Sequence, residues 1–173
     1  TYFVAYMADT SGRYHLDVRV RTESVPGSPF AIDVLSGQCD PRRCLLSGAG
    51  LERAAVGEPA EFTITSVDQH GNHMIEGGEL FTVHLTDEES ARPQFLASAR
   101  RNGNYDASCA TRPCTYDVND LDDGTYVVRY CTKVSGTPFL HILHGSNIVG
   151  QSTRPLSVHI SPGGLHMPSI SFD

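Results

Sequence analysis

The chain has 173 residues and a mass of 18.8 kDa, room for one domain or for one and a fraction, and enough to bury a core. With 39% hydrophobic and 19% charged residues it is too apolar for a disordered chain, yet its longest apolar run is far too short for a transmembrane helix. Thirteen Lys and Arg against twenty Asp and Glu give a net charge of -7, the wrong sign for gripping nucleic-acid phosphates or anionic lipid.

Apolar residues recur with period two nearly everywhere, the rhythm of strands buried on one face. Tyr14, Leu16, Val18 and Val20 alternate with Arg13, His15, Asp17 and Arg19. Pro26-Gly27-Ser28-Pro29 then fixes a bend that is expected to drop Phe30 into the core, at the head of a strand through Ile32 and Val34. Gly37 and Asp40-Pro41 break that strand. Gly48 and Gly50 bracket a kinked first strand of the next unit, and Glu58-Pro59 stops an edge before the central strand Ala60 to Thr65. Phe81, Val83 and Leu85 alternate with Thr82 and His84; Asp123-Gly124 makes the hairpin into Tyr126, Val128 and Tyr130; Leu140 and Ile142, then Leu156, Val158 and Ile160, complete the series. No helical stripe lasts three turns, although a short helix fits near Gln94 to Arg101. Short alternating strands with dense Gly, Pro and Asn turns predict an antiparallel sandwich.

The elements repeat. Thr1-Tyr2-Phe3-Val4-Ala5-Tyr6 matches Thr125-Tyr126-Val127-Val128-Arg129-Tyr130, Gly12, Leu16 and Val18 fall opposite Gly136, Leu140 and Ile142, and Phe30, Ile32 and Val34 fall opposite Leu156, Val158 and Ile160. The expected organisation is the C-terminal part of one unit over residues 1–36, a linker over 37–41, a complete unit over 42–162 and a tail over 163–173. A chain opening on Thr1 with no leader pattern reads as a piece of something longer.

The endings T-Y-x-V-x-Y (Thr1 to Tyr6), G-x-Y-x-L-x-V (Gly12 to Val18) and V-P-G-S-P-F-x-I-x-V (Val25 to Val34) resemble filamin-type immunoglobulin-like repeats. So do Ser47 to Leu51, Gly57 to Ile64, Asp68-x-x-Gly71-Asn72, Gly77 to Leu85 and Asp123 to Tyr126. The resemblance implies an all-β, antiparallel immunoglobulin-like sandwich, one complete repeat preceded by the last strands of another. Two departures stand out. The Gly-Ser-Pro-Phe step becomes Gly150 to Leu156, longer and more polar, and an insertion at about 86–115 lengthens the link between the third and fourth strands. In this family the groove between those two strands is where partner peptides add as an extra strand. The resemblance therefore points to Phe81, Thr82, Val83, His84 and Leu85 with Thr115, Tyr116, Asp117 and Val118 as the partner-binding residues, Thr82, His84, Thr115 and Asp117 facing outward. Proline at His84 is then expected to abolish strand addition. The insertion either builds a private binding surface or covers the groove and blunts an exposed edge.

No catalytic or metal signature accompanies the fold signals. G-x-S-x-G, H-E-x-x-H, P-loop and G-x-G-x-x-G are all missing from the sequence. His70 and His73, like His141 and His144, are three apart and would point to opposite faces of a strand. The run from Asp117 to Gly124 has Leu121 and Tyr130 where calcium ligands belong, so an Asx-rich turn explains it. No enzyme activity, cofactor or metal is expected. Five cysteines cannot all pair within the chain; Cys39 and Cys44, and Cys109 and Cys114, are spaced to close small disulfides if oxidised, and the chain has no N-x-[ST] sequon.

These readings converge on a non-catalytic spacer and docking module of a large cytoskeletal or ciliary protein, axonemal dynein tails being among the resembling candidates. Its partners would be cytoskeletal proteins or neighbouring domains of the same polypeptide, without nucleic acid or membrane insertion. The alternative is an extracellular adhesion module of a cell-surface protein, which two disulfides would favour.

Overall fold

The computed structural model describes residues 1–90, 105–108, 113–152 and 154–163; at 105–108, 113 and 114 it gives the backbone alone. The strands are β1 (Gly12–Leu16), β2 (Arg19–Val20), β3 (Glu23–Ser24), β4 (Phe30–Val34), β5 (Leu45–Ser47), β6 (Arg53–Ala55), β7 (Ala60–Thr65), β8 (Phe81–Thr86), β9 (Tyr105–Ser108), β10 (Pro113–Asp120), β11 (Thr125–Thr132), β12 (Phe139–His144), β13 (Asn147–Ile148), β14 (Leu156–Ser157) and β15 (His159–Ser161). One sheet runs β5-β7-β11-β10-β9; facing it, β12 pairs with β8 on one edge and with β13 and β14 on the other. Every pairing is antiparallel except β15 with β6, which carries the end of the unit back beside its beginning. The expected helix near Gln94 to Arg101 lies outside the described residues.

Alternation decides the layers. Phe62 and Ile64 of β7, Phe81, Val83 and Leu85 of β8, Tyr126, Val128 and Tyr130 of β11, and Leu140 and Ile142 of β12 are all buried, joined by Val158 and Ile160. Burying each such side chain is worth about 1.5–3 kcal/mol, which makes this inter-sheet layer the main source of stability. The kink at Gly48 and Gly50 is a 3-10 turn over Ala49–Leu51, where a Cβ on Gly50 would stand 2.6 Å from the Glu61 carbonyl oxygen. Into that turn the Tyr130 hydroxyl donates a 2.5 Å hydrogen bond to the Gly50 carbonyl. Tyr130→Phe is therefore expected to cost about 1–2 kcal/mol, read as a lower urea midpoint at unchanged slope.

The sequence repeat returns as hydrogen-bond register. Gly12 pairs with Val34 and Leu16 with Phe30, as Gly136 bridges to Ile160 and Leu140 pairs with Leu156. Arg19 pairs with Ser24 and Val20 with Glu23, as Leu143 pairs with Ile148 and His144 with Asn147. The Val25 N–H donates to the Val18 carbonyl, and the Val149 N–H to the Ile142 carbonyl, each at 2.9 Å. The following turn differs: it carries two more residues between Val149 and Leu156 than between Val25 and Phe30, and the final strand breaks into β14 and β15.

Two expectations for the first unit are corrected. Thr1 to Tyr6 forms no strand, and Tyr2 and Phe3 are almost fully exposed. Phe30 is not in a core but 42% exposed, because β1 and β4 make a two-stranded sheet with no second sheet across it among the described residues. A two-stranded ladder has one apolar face and nothing to bury it against.

Asp68 ties the joining segment to the sandwich. Its buried carboxylate accepts from the N–H groups of Gly37 (2.8 Å), His70 (2.8 Å) and Asn72 (2.9 Å) and from Asn72 Nδ2 (2.9 Å). Burial alone would raise its pKa, but these donors outweigh that and hold the carboxyl well below the usual range. Asn72 also donates to the Asp9 carbonyl and accepts from the Ser11 N–H, so the same turn holds residues 9–11 of the first unit.

Candidate functional site

The candidate site is built on β8, whose direction is set by Gly77-Gly78 and the turn after β10. Asp120 Oδ2 accepts the Gly78 N–H at 2.7 Å, and a Cβ on Gly77 would overlap the same carboxylate. Next, the Glu79 N–H donates to the Tyr126 hydroxyl at 3.0 Å, and burial pushes that phenol up to about 12, keeping it neutral. Phe81 packs edge-on against Tyr126, ring centroids 4.8 Å apart, and tilts against His144, whose Nε2 lies 2.6 Å from Glu79 Oε2.

Which backbone groups of β8 are available follows from parity in the antiparallel ladder. The carbonyls of Ile142 and Pro138 accept from Val149 and Val158, so even-numbered residues of β12 turn their polar groups toward β13 and β14. Odd-numbered Phe139, His141 and Leu143 therefore face β8, opposite Thr86, His84 and Thr82. The amides and carbonyls of Phe81, Val83 and Leu85 point to the other edge, where no strand is paired among the described residues. This corrects the expectation for proline at His84: that amide serves the ladder with β12, not the open edge.

Across the groove, β10 supplies the opposing strand. Its edge opposite β11, which borders the groove, is covered at Pro113 to Tyr116 by β9, in the register Pro113↔Ser108 to Tyr116↔Tyr105, so part of the insertion is an extra strand beside the groove. Thr115 is exposed, Asp117 and Val118 are half-buried, and Tyr116 is buried. Thr82 and His84, on the parity opposite to the buried Phe81, Val83 and Leu85, are both half-buried, and the Tyr116 ring lies against His84 with centroids 6.2 Å apart. The Thr82 hydroxyl is buried with no hydrogen-bond partner among the described residues, an uncommon state for a side-chain oxygen.

Behind this face sits a pair that strand-by-strand reading missed. His84 lies opposite buried His141, whose Nε2 is 2.8 Å from Thr86 Oγ1, while that hydroxyl donates to the Glu88 carbonyl at 2.8 Å. The hydroxyl must then accept from His141 Nε2–H, which fixes the neutral tautomer. Burial pushes both imidazoles down, and for His84 the neighbouring His141 adds to it. His141 and His144 have separate partners, Thr86 and Glu79, and among the described residues no group of three metal-ligating side chains converges. Asp120 and Asp123 carboxylates accept the N–H groups of Asp122 and Thr125, the Asx turns foreseen for the acidic run. Cys39 and Cys44 come together, their sulfurs 3.5 Å apart; any pairing of Cys109 with Cys114 lies outside the described residues.

Comparison with known proteins agrees with this architecture. The chain is 30% identical over 138 residues to Filamin-A of Drosophila melanogaster, covering 79% of the chain and 5% of that protein, and 30% identical over 166 residues to Filamin-C of Rattus norvegicus, covering 95% and 5%. A third relative is the E3 ubiquitin-protein ligase TRIM45 of Bos taurus, 30% identical over 107 residues, with 59% of the chain and 17% of the ligase covered. The chain thus spans about a twentieth of the filamins it matches. In fold it is similar to the Escherichia coli adhesin FdeC, at a TM-score of 0.55 and 16% identity over 89% of this chain and 41% of the other. The Filamin/ABP280 repeat pattern matches residues 38–154, well over half of the sequence, and the chain belongs to that family.

Proposed function

We propose that the chain is a spacer and docking module, divided as 1–36, 37–41, 42–162 and 163–173, whose partner adds as a strand along β8. The filamin repeat is a structural, non-catalytic unit, and the observation that carries the docking reading is the open row of amides and carbonyls at Phe81, Val83 and Leu85. Thr82, His84, Thr115, Tyr116, Asp117 and Val118 form the surroundings that would select side chains. Because β9 already covers Pro113 to Tyr116 of β10, the accessible length is weighted toward Phe81 and Val83. A cytoskeletal parent is supported by the filamin relatives; a ciliary one, such as an axonemal dynein tail, rests on sequence style alone. The extracellular adhesion reading keeps one specific observation in its favour, the adjacency of the Cys39 and Cys44 thiols.

Ladder parity supplies the test. Random dodecapeptides displayed on phage are selected against the chain, and the recovered peptides are titrated against two proline variants. Val83→Pro removes an N–H from the open edge and is expected to weaken binding at least tenfold, while the altered side chain at a fully buried position costs about 2–4 kcal/mol of stability. His84→Pro breaks the ladder with β12 and is expected to cost about 2–4 kcal/mol. Unchanged affinity in Val83→Pro would place docking elsewhere.

A further inference from the structure

The segment entering the sandwich carries a pair of thiols with unequal access. Cys39 bridges to Asp68, the Asp40 N–H donates to the Val67 carbonyl at 2.8 Å, and the Gly150 N–H donates to the Pro41 carbonyl at 2.8 Å, so the chain is strapped across one end of the fold. Cys44, at the foot of β5, is 1% exposed. Cys39 is half-buried and lines an open cleft of about 400 Å3 with Gly37, Gln38, Asp40, Pro41 and Gln69. Behind that cleft the Cys44 sulfur lies 3.5 Å from Cys39 and 3.4 Å from the Asp40 carbonyl oxygen.

We propose that Cys39 and Cys44 are an oxidisable pair that exchanges with low-molecular-weight disulfides, and that their disulfide locks the segment joining the two units onto the sandwich. Cys39 is the entry point because it lines this cleft and is half-buried, whereas Cys44 does not line it and is almost fully buried. The Cys39 thiol gives its proton to solvent as its sulfur attacks one sulfur of the incoming disulfide, breaks its S–S bond and releases one thiolate, which takes a proton up. Cys44 then loses its proton and attacks the Cys39 sulfur, expelling the second thiolate. The two protons end on the two released thiols; the cysteine sulfurs give up two electrons and the small disulfide gains them. The hydrogen bond from Cys39 lowers the pKa of Cys44, which suits Cys44 to the resolving step, and the same contact raises that of Cys39. The bridge would staple the residue paired with Asp68 to the start of β5, so its effect is local: it stops the strap from peeling away.

Oxidised glutathione is the probe, applied to the whole 173-residue chain, followed by acid quench, alkylation and tryptic mapping. Cleavage at Arg42 and Arg43 separates the two cysteines, so the expected product is peptide Thr22–Arg42 joined to Cys44–Arg53, free of glutathione. In Cys44→Ser the adduct on Cys39 should persist, and in Cys39→Ser Cys44 should stay unmodified. Hydrogen exchange on the oxidised wild type should slow at least tenfold at the Gly37 and Asp40 amides while the β8 edge is unchanged. A stable glutathione adduct on wild-type Cys39, bridging of Cys39 to another cysteine, or no reaction at either position would each overturn the proposal. The mapping uses the wild-type protein, so it needs no variant to fold, and none of these outcomes touches the β8 docking reading.

Discussion

Replacing Gly124 with alanine is expected to destabilise the protein by about 3–5 kcal/mol, a large share of the roughly 5–15 kcal/mol that holds a domain together. Gly124 is buried at φ +81 in the turn between β10 and β11, and a Cβ there would overlap the carbonyl oxygen of Met74. Neither side can give way cheaply. The Gly124 carbonyl accepts both the N–H and the hydroxyl of Ser66, at 2.9 and 2.7 Å, while the Met74 N–H donates to the Ser66 carbonyl at 3.0 Å. Gly71→Ala is the control, since Gly71 has φ +88 but nothing within 4 Å of its added Cβ; the left-handed backbone alone should cost about 1–2 kcal/mol. The gap between the two variants, measured by urea unfolding, isolates the steric overlap. A gap near zero would mean the turn relaxes and the hydrogen bonds around Ser66 do not pin it. Tyr126 follows this turn and holds Glu79 and Phe81, so the alanine variant should also loosen the head of the docking strand.

The sandwich was legible in the sequence because alternation is a local signal with a direct physical cause. Phe62 and Ile64, Phe81, Val83 and Leu85, and Tyr126, Val128 and Tyr130 are apolar on one parity, and all of them are buried. The same signal misled at Phe30 and Thr1 to Tyr6, since alternation says which face wants burial and not whether another sheet is there to cover it. Strand β9 was passed over for a different reason: Tyr105 and Ala107 alternate with Asp106 and Ser108 over only four residues, too short and weakly apolar a signal, and its place depends on pairing with β10. The candidate site was readable as strands and unreadable as an edge. Which amides of β8 lie open depends on the Val149 to Ile142 hydrogen bond, between residues far along the chain from Val83, and composition carries no trace of that parity. His84 and His141 likewise become a pair only through the β8–β12 register.

That pair gives the second large effect: stability is expected to fall as pH drops from about 7.5 to about 5.5. Burial holds both imidazoles below their ordinary value of 6.5, so they stay neutral in the folded protein while the unfolded chain takes up protons near 6.5. The folded state thus binds fewer protons, and the stability this provides is complete above pH 6.5 and lost progressively below it. Each histidine kept fully neutral contributes a slope of at most about 1.4 kcal/mol per pH unit. Asp68 does not enter this window. Its carboxyl titrates below the usual acid range, so its contribution stays intact across these values and disappears only at much lower pH. Among the described residues, the groups facing the pair are Tyr116 on the His84 side and the Thr86 hydroxyl on the His141 side, with the Glu88 carbonyl beyond it. A proton on His141 keeps the Nε2–H bond to Thr86 but puts a charge beside His84 in a dry setting, so β8 is where strain should appear first. Urea midpoints at pH 7.5, 6.5 and 5.5 should therefore descend in the wild type and flatten in His141→Gln, whose amide can still donate to Thr86. An equal descent in both proteins would assign the acid sensitivity to other groups and leave the docking strand indifferent to pH.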